Sequence, residues 1–238
     1  VFGISAIVPL VLRLFPFENR YLLILDRTKW KWGKSSINIL VLSIGYRGIS
    51  IPILWAVLNL EGNSCLDDRV SLLARFIKLL GKERIEALLT DREFIGKKWF
   101  RYLVEHQIPF AIRIKKNSMV EGLRNGYAVP VRELCKELGC RKKIVNRKLV
   151  LWEQELYVSI RRKKGAKESL IIASNVALKD PLEIYKRRWE IETMFGCLKS
   201  RGFRMEDTHM IDPDKIEKLL FVLAIAFCWA YRVGDIQS

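Results

Sequence analysis

The order of the apolar segments constrains this fold more than any other feature of the sequence. Three β-rich runs come first, and we predict them as an antiparallel meander: Tyr21–Leu25, Ile37–Ile44 and Ile51–Leu58. The first run is continuously apolar, which is typical of a strand buried on both faces. Alternating helices and strands are predicted next, at Val70–Leu80, Ile85–Thr90, Phe94–His106 and Pro109–Ile114. Such alternation implies right-handed crossovers and a parallel part of the sheet.

Residues 118–168 interrupt this alternation, and we predict a β-rich insertion there. Glycines separate short alternating segments such as Lys148–Ile160. The stretch between Arg141 and Lys167 holds ten Lys or Arg and two Glu, so it carries half of the formal net charge of +16. Leu170–Ala173 then returns to the core as a strand.

The two ends of the chain are predicted to be helical. Residues 4–16 are apolar but contain Arg13 and lack a basic segment before them, which is typical of a packed helix rather than a signal peptide. The last helix, predicted over 213–232, includes the uncharged segment Leu219–Tyr231, which is too short to span a bilayer.

The chain opens on Val1 in the middle of an apolar pattern. We therefore interpret it as a fragment in which residues 1–19 are the remnant of an N-terminal region. Residues 20–238 then form one domain that contains the insertion, a size that allows a substantial core.

Composition and charge narrow the class of partner. Half of the 238 residues are apolar and 29% are charged, which is typical of a globular chain. The excess of basic residues favours a polyanionic partner, with nucleic acid ranked above an anionic membrane surface. The five cysteines have irregular spacing and no C-x-x-C pair, which supports neither a zinc site nor a disulfide framework. We expect a cytoplasmic protein that is associated with the nucleoid and does not bind a membrane.

The segment Tyr185–Lys199 is predicted to be one α-helix that carries an acid in an unusual place. At about 100° per residue, its polar arc of roughly 60° consists of Tyr185, Arg188, Glu192 and Lys199. A neighbouring apolar arc is expected to face the core. Glu192 is thus expected at the rim of a buried face, partly desolvated, whereas Glu190 is expected to point away. The alternative is a solvated helix face with ordinary side-chain pairs.

Two aspartates offer partners for Glu192. Asp26 and Asp91 each follow a predicted apolar strand, and neighbouring strand ends would place their carboxylates side by side. With Glu192 they form a set of hard oxygen ligands that suits Mg²⁺ or Mn²⁺. Two such ions, about 3.5–4 Å apart, serve phosphodiester chemistry in many enzymes. Aspartates that cap turns at strand ends are an equally open reading of the pair. Asp67 and Asp68 are rival acids, but we expect them to cap a helix.

These residues resemble a known family. The spacing Tyr185-x2-Arg188-x3-Glu192-x6-Lys199 resembles the Y-R-E-K signature of DDE transposases from bacterial insertion sequences, of the insertion sequence four type. The segments Leu25–Gly33 and Leu89–Phe94 resemble those around the first and second catalytic Asp of that family, and Glu206–His209 resembles its C-terminal region. The resemblance extends over roughly residues 20–232.

The resemblance implies an α/β fold with an RNase H-like mixed sheet flanked by helices, and a β-rich insertion before the last catalytic helix. It implies that the catalytic residues and metal ligands are Asp26, Asp91 and Glu192, with two Mg²⁺ or Mn²⁺ ions. It also implies contacts to transposon-end phosphates by Tyr185, Arg188 and Lys199. A homodimer in a synaptic complex, cutting in trans and a hairpin intermediate belong to the same expectation.

Further DNA contacts are expected in the insertion. In the family a tryptophan of the insertion stacks on a flipped base, and Trp152 is the insertion's one tryptophan, although packing inside the insertion explains it equally well. The basic residues expected to contact the DNA backbone are Arg161, Arg162, Lys163 and Lys164. Solvated surface charge is the alternative for these four. His106 and His209 are expected to have a helix-end or packing role rather than a catalytic one.

The function implied is a DNA transposase acting on double-stranded DNA. Water activated by the metal ions cuts at the element ends, and the freed 3′-hydroxyl attacks target DNA by transesterification. The alternatives are an RNase H-fold nuclease without strand transfer and a truncated or co-opted protein that binds DNA without catalysis. A membrane-surface protein ranks last.

Overall fold

The computed structural model describes residues 7–58, 64–122, 126–138, 143–162 and 168–237. The chain divides into two compact units. Unit 1 consists of Val1–Glu86 with Trp189–Ser238, and unit 2 is Ala87–Arg188. The expected division into residues 1–19 and 20–238 stays a prediction.

Unit 1 is built on the predicted antiparallel meander. Its elements before the unit boundary are α1 (Ile7–Leu14), β1 (Tyr21–Trp32), β2 (Ser35–Tyr46), β3 (Ile49–Leu58), α2 (Leu66–Leu80) and the start of β4 (Ile85–Thr90). The order β3-β2-β1, with both pairs antiparallel, confirms the meander. Gly33, with φ of 56°, makes the tight turn between β1 and β2, a backbone conformation that favours glycine.

Strand β1 is longer than predicted. Its apolar half, Tyr21–Leu25, is buried throughout, as expected for a strand covered on both faces. The strand then continues to Trp32, with every residue paired to β2 up to the turn. The prediction that it ends at Leu25 is therefore wrong, because a hairpin arm needs backbone partners rather than an unbroken apolar run. Asp26 lies within the strand and not at its end.

Helices cover the meander of unit 1. Helix α2 packs on β2 and β3, and α1 packs on β3. Helix α2 begins at Leu66, four residues earlier than predicted, because Cys65 and Asp68 form a capping box. The Gly81 N–H donates to the Ile77 carbonyl and ends α2 as predicted.

Unit 2 contains a mixed sheet. Its elements after β4 are α3 (Lys97–Glu105), β5 (Phe110–Arg113), β6 (Met119–Gly122), β7 (Ala128–Pro130), α4 (Val131–Glu137), β8 (Lys143–Leu151), β9 (Gln154–Arg161), β10 (Leu170–Ser174) and α5 (Pro181–Lys186). The strand order is β4-β5-β10-β9-β8-β6-β7. Strands β4 and β5 are parallel, which confirms a parallel part of the sheet, and the other described pairs in this unit are antiparallel.

The predicted insertion is rich in β structure. Within residues 118–168 lie β6, β7, β8 and β9, and β9 pairs directly with β10. Helix α4 was not predicted, although Val131 and Leu134, buried at helical spacing after Pro130, carried its signal. Lys163, Lys164 and the glycines at 139 and 165 lie outside the described residues.

The prediction of one uninterrupted α-helix over Tyr185–Lys199 is wrong. Helix α5 ends at Lys186, and a tighter 3₁₀ turn follows at Arg187–Trp189. Helix α6 (Glu190–Gly196) comes next, and a wider π turn spans Cys197–Arg201. Because 3₁₀ and π turns wind differently from an α-helix, a constant 100° per residue does not hold along this segment.

Two remaining elements of unit 1 complete its core. Helix α6 packs against all three strands of the meander, and α7 (Pro213–Gln237) packs against β3 and α1. Helix α7 extends beyond the predicted 213–232. No helix in the described part of the chain is long and apolar enough to cross a membrane.

Candidate active site

In unit 1, Asp26 is held deep in the meander. Asp26 is paired with Val41 of β2, and only 8% of the residue's surface is exposed. Its Oδ1 accepts a hydrogen bond of 2.8 Å from the Arg27 N–H. A carboxylate in such a position is costly unless polar or charged groups compensate it. The desolvation cost of the Asp26 carboxylate is consistent with a chemical role, because an apolar residue at this position would stabilise the strand more.

Glu192 lies in the first turn of α6 and lines a shallow cleft of about 340 Å³ in unit 1. The other side chains that the cleft brings together include Arg27, Lys29, Lys199 and Glu206. Two positions of the Y-R-E-K spacing thus face the residues of β1 that directly follow Asp26. Glu192 therefore lies in one cleft with the segment of β1 that follows Asp26, while Asp26 itself is not a lining residue.

The burial of the two acids on α6 is the reverse of the prediction. Glu192 is exposed, whereas Glu190 is only 8% exposed. The 3₁₀ turn before α6 changes the rotation that places these side chains, so the expected rim position of Glu192 is wrong. An exposed Glu192 avoids the desolvation penalty of a buried carboxylate and can be reached by a ligand from solvent.

Lys199 is fixed in place on the wide π turn. Its Nζ donates to the Lys29 carbonyl at 3.1 Å and lies 2.9 Å from Glu206 Oε1. It also lies 6.0 Å from the ring centroid of Trp30. Single π turns are frequent at functional sites because they redirect one side chain within a helix. The ammonium group is therefore oriented beside Glu192 before any ligand arrives.

In unit 2, Asp91 directly follows β4, as predicted. The Tyr185 hydroxyl donates to Asp91 Oδ1 at 3.3 Å, and Arg113 Nη1 lies 4.0 Å from the same oxygen. The Asp91 side chain keeps 31% of its surface exposed. It is thus oriented by a phenol and a guanidinium while one side stays open to solvent.

Tyr185 is a buried donor and not a surface group. It is 4% exposed, and burial raises the pKa of its phenol far above the usual value. The negative charge of Asp91 raises this pKa further, while Arg188 and Arg113 act in the opposite direction. The phenol therefore stays protonated at neutral pH and donates its single proton to Asp91.

The other predicted DNA-binding residues of unit 2 differ in their burial and in their contacts. Arg188 is 5% exposed. Arg161 forms an ion pair of 2.9 Å with Glu183, and Arg162 is exposed. Trp152 lies at the turn between β8 and β9, half-buried, with its ring edge-to-face against Phe100 at 4.8 Å and 77°. The Trp152 ring thus packs on Phe100 within unit 2, and its stacking on a DNA base stays a prediction.

Sequence reasoning missed Arg113 and Glu168. Arg113 is the last residue of β5, and its Nη2 lies 3.1 Å from Glu168 Oε2. The same oxygen lies 2.9 Å from Arg92 Nη1. The available signal was an arginine closing an apolar run, Phe-Ala-Ile-Arg, next to the strand that carries Asp91. His209 was read correctly as a packing residue, since its ring stacks on Trp32 at 3.5 Å.

The donor atoms available for a metal ion are carboxylate oxygens. Asp26 and Glu192 belong to unit 1, and Asp91 belongs to unit 2. Such hard oxygen ligands fit Mg²⁺ or Mn²⁺ in kind. Within the described ranges, no group of three or more His, Cys, Asp or Glu side chains is arranged so that it could hold a metal ion. The joint role of these three acids therefore stays a prediction.

Comparisons with known proteins bear on both fold and family. A family model described as "Transposase DDE domain" matches residues 18–229. No curated protein matches the chain. A solved structure of piggyBac transposase, in a synaptic complex with hairpin DNA, is 12% identical with a TM-score of 0.50. The match covers 93% of this chain and 49% of that one, so the chain spans about half the length of that transposase.

Two structures of endonuclease V from Ciona intestinalis, each in complex with DNA that contains inosine, also match at 12% identity. Their TM-scores are 0.36 and 0.37, over 72% and 84% of this chain and 77% and 86% of theirs. The likeness to the piggyBac structure confirms the expected fold class, an α/β RNase H-like mixed sheet flanked by helices.

Proposed function

Since the chain belongs to the family of the Transposase DDE domain, whose model covers residues 18–229, we propose that it cleaves DNA at transposon ends and joins the freed ends to target DNA. Both steps displace oxygen at phosphorus, first by hydrolysis and then by transesterification. On the spacing of its four signature residues, we further propose that it belongs to the Y-R-E-K group of insertion sequence four type.

One observation carries this proposal. The signature segment reaches both of the predicted aspartate segments, each within its own unit. In unit 2 the signature Tyr185 donates to Asp91, and in unit 1 the signature Glu192 and Lys199 share a cleft with the residues after Asp26. A spacing match by chance has no reason to make contact with both strands.

The acids proposed to hold the metal ions are Asp26, Asp91 and Glu192. Two Mg²⁺ or Mn²⁺ ions bound there would polarise the scissile phosphate and lower the pKa of a bound water. Tyr185 holds one oxygen of Asp91 by donating to it, which leaves the other oxygen for a ligand. Lys199, anchored on the Lys29 carbonyl, presents a positive charge beside Glu192 for a DNA phosphate.

The partner proposed is double-stranded DNA, comprising the transposon ends and the target, bound by a homodimer. The side chains proposed to contact it are Arg188, Lys199, Arg161, Arg162, Lys163 and Lys164, with Trp152 stacking on an unpaired base. The hydroxyl of Tyr185 is engaged by Asp91, so we assign it the positioning of that acid in addition to any phosphate contact.

An assay of cleavage and joining tests the proposal. The protein is incubated with Mg²⁺ or Mn²⁺, an element-end duplex and a target plasmid. Glu192→Gln is expected to lower the rates of both steps by about 10³-fold, since metal-assisted catalysis is worth several kcal/mol. Asp67→Asn, an exposed acid in the first turn of α2, is the matched control and is expected to keep full activity.

Each result has a distinct meaning. Joined products that vanish with Glu192→Gln support transposition. Cleavage without joining identifies a nuclease, and DNA binding without either reaction identifies a DNA-binding protein. Full activity of Glu192→Gln contradicts the proposed site.

A further inference from the structure

Unit 2 carries a basic cleft that contains none of the three predicted metal-binding acids. It has a volume of about 500 Å³ and is referred to below as the basic cleft. The positive side chains that line it include Arg92, Arg113, Lys115, Lys116, Arg132 and Lys136. Arg162 lines it as well, and Glu168 is the one acid among its described lining residues. Such an excess of one charge raises the local concentration of anions.

The walls of the basic cleft are fastened by backbone hydrogen bonds. The Arg132 N–H donates to the Lys116 carbonyl at 2.9 Å, and the Ser118 N–H donates to the Lys115 carbonyl at 2.9 Å. On the other side, the Ile114 N–H donates to the Ile171 carbonyl at 3.0 Å. The loop that carries the two lysines is therefore tied to α4 at one end and to β10 at the other.

The charges in the basic cleft are only partly compensated. Arg132 and Lys136 contact Glu133 on their own helix, and Arg92 and Arg113 share Glu168. Within the described residues, Lys115, Lys116 and Arg162 make no ion pair. These three cations are available for a ligand.

Two arginines converge on one oxygen of the cleft. Arg92 Nη1 and Arg113 Nη2 lie 2.9 Å and 3.1 Å from Glu168 Oε2. Guanidinium groups arranged around one anionic oxygen suit a phosphate oxygen equally well. The side chains of Arg92 and Glu168 are 47% and 43% exposed, so solvent screens their attraction and exchange of the carboxylate costs little.

We propose that the basic cleft binds the backbone of duplex DNA, and that a phosphate replaces the Glu168 carboxylate between Arg92 and Arg113. This inference rests on the proposed function for the identity of the partner. Arg113 Nη1 also lies 4.0 Å from Asp91 Oδ1. A phosphate held by Arg113 is therefore next to one of the predicted metal-binding acids, and Lys115, Lys116 and Arg162 extend the contact along the strand.

The first test measures duplex binding without divalent metal, so that its outcome is independent of catalysis. Fluorescence anisotropy is recorded over a series of salt concentrations for the double variant Lys115→Gln/Lys116→Gln. The slope of log K against log salt concentration is expected to fall by about 1.8, because each lost phosphate contact removes about 0.9. The matched control is Lys78→Gln/Lys218→Gln, two exposed lysines of unit 1.

An unchanged slope for the double variant, or an equal change in the control, overturns the proposal. Pyrophosphate is tested in parallel as a small anion. Loss of pyrophosphate binding with full duplex binding also overturns it, because the cleft is then a small-anion site. Cleavage of element ends by a variant with unchanged duplex binding leaves the proposed function standing while the basic cleft fails.

A second test addresses the exchange of Glu168. Glu168→Gln removes the competing charge and is expected to lower the dissociation constant for the duplex by about threefold. Glu155→Gln, an exposed acid of β9 paired with Lys148, is the control. Equal effects of the two substitutions, or weaker binding by Glu168→Gln, contradict the exchange.

A third test locates the DNA directly. Cys135 lines the basic cleft, whereas Cys65 is exposed in unit 1. Alkylation by iodoacetamide is followed for both peptides by mass spectrometry, with and without duplex. The duplex is expected to slow alkylation of Cys135 about fivefold and to leave Cys65 unchanged, since solvent exclusion accompanies backbone contact. Equal rates at Cys135 with and without duplex contradict the proposal.

Discussion

The two units treat their signature residues in opposite ways. In unit 2, Tyr185 and Arg188 are 4% and 5% exposed, and Tyr185 donates to Asp91. In unit 1, Glu192 is exposed and Lys199 is half-buried in an open cleft. The first half of the Y-R-E-K spacing is therefore buried, and the second half lies in an open cleft. One linear signature contains residues with two different physical tasks.

Truncation of Tyr185 gives the largest expected contrast in stability. Tyr185→Ala removes a buried ring and is expected to lower the free energy of unfolding by about 3–5 kcal/mol. Lys199→Ala removes a half-exposed ion pair with Glu206 and is expected to cost less than about 1 kcal/mol. Urea unfolding followed by circular dichroism measures both. Equal losses would remove the distinction between the two halves of the signature.

The hydroxyl of Tyr185 gives a smaller effect. Tyr185→Phe keeps the ring but removes the donor to Asp91, so Asp91 is less well oriented. We expect a roughly tenfold weaker apparent affinity for Mn²⁺ in the cleavage assay, at the low end of the 10–100-fold typical of groups that orient a metal ligand. A titration of cleavage rate against Mn²⁺ concentration measures it. If saturating Mn²⁺ fails to restore the rate, orientation of Asp91 is not what the phenol provides.

Lys199 sharpens the comparison from the exposed side. Lys199→Gln is expected to raise KM for an end duplex about threefold to tenfold with a small change in kcat, because the lost charge contacts DNA in the ground state and in the transition state alike. Glu206→Gln frees Lys199 from its ion pair and serves as the control, with a KM expected to be unchanged or lower. A raised KM in both variants would point to disturbance of the cleft.

The pH dependence of stability gives a further contrast. The pKa of Tyr185 is raised in the folded state, so the unfolded state loses this proton first, near pH 10. Stability is therefore fully present below about pH 10 and falls above it by about 1.4 kcal/mol per pH unit. The difference between the parent chain and Tyr185→Phe, measured by urea unfolding between pH 9 and 11, isolates this residue. A difference independent of pH contradicts a buried, neutral phenol.

Some of the site follows from the sequence because strand burial is easy to recognise. Strand β4 is uncharged and buried from Ala87 to Thr90, and Asp91 is the first charge after it, so its end could be predicted to the residue. Strand β1 stays buried through Asp26 and continues as a hairpin arm to Trp32. The end of an apolar run does not mark where backbone pairing ends, which is why Asp26 was misplaced.

The remainder of the site depends on geometry that propensities do not encode. The 3₁₀ turn at Arg187–Trp189 consists of ordinary helix-forming residues, yet it precedes α6 and changes the rotation with which Glu190 is buried and Glu192 exposed. The contact between Arg113 and Glu168 joins residues 55 positions apart. The pairing of β5 with β10 brings these residues together.

The central proposal is that Asp26, Asp91 and Glu192 are metal ligands. Mn²⁺ binding to the metal-free protein, followed by electron paramagnetic resonance, tests it without any need for turnover. Asp26→Asn, Asp91→Asn and Glu192→Gln are each expected to weaken Mn²⁺ binding by at least about tenfold, while Asp67→Asn leaves it unchanged. Full Mn²⁺ binding by any one of the first three variants would contradict the proposal for that acid.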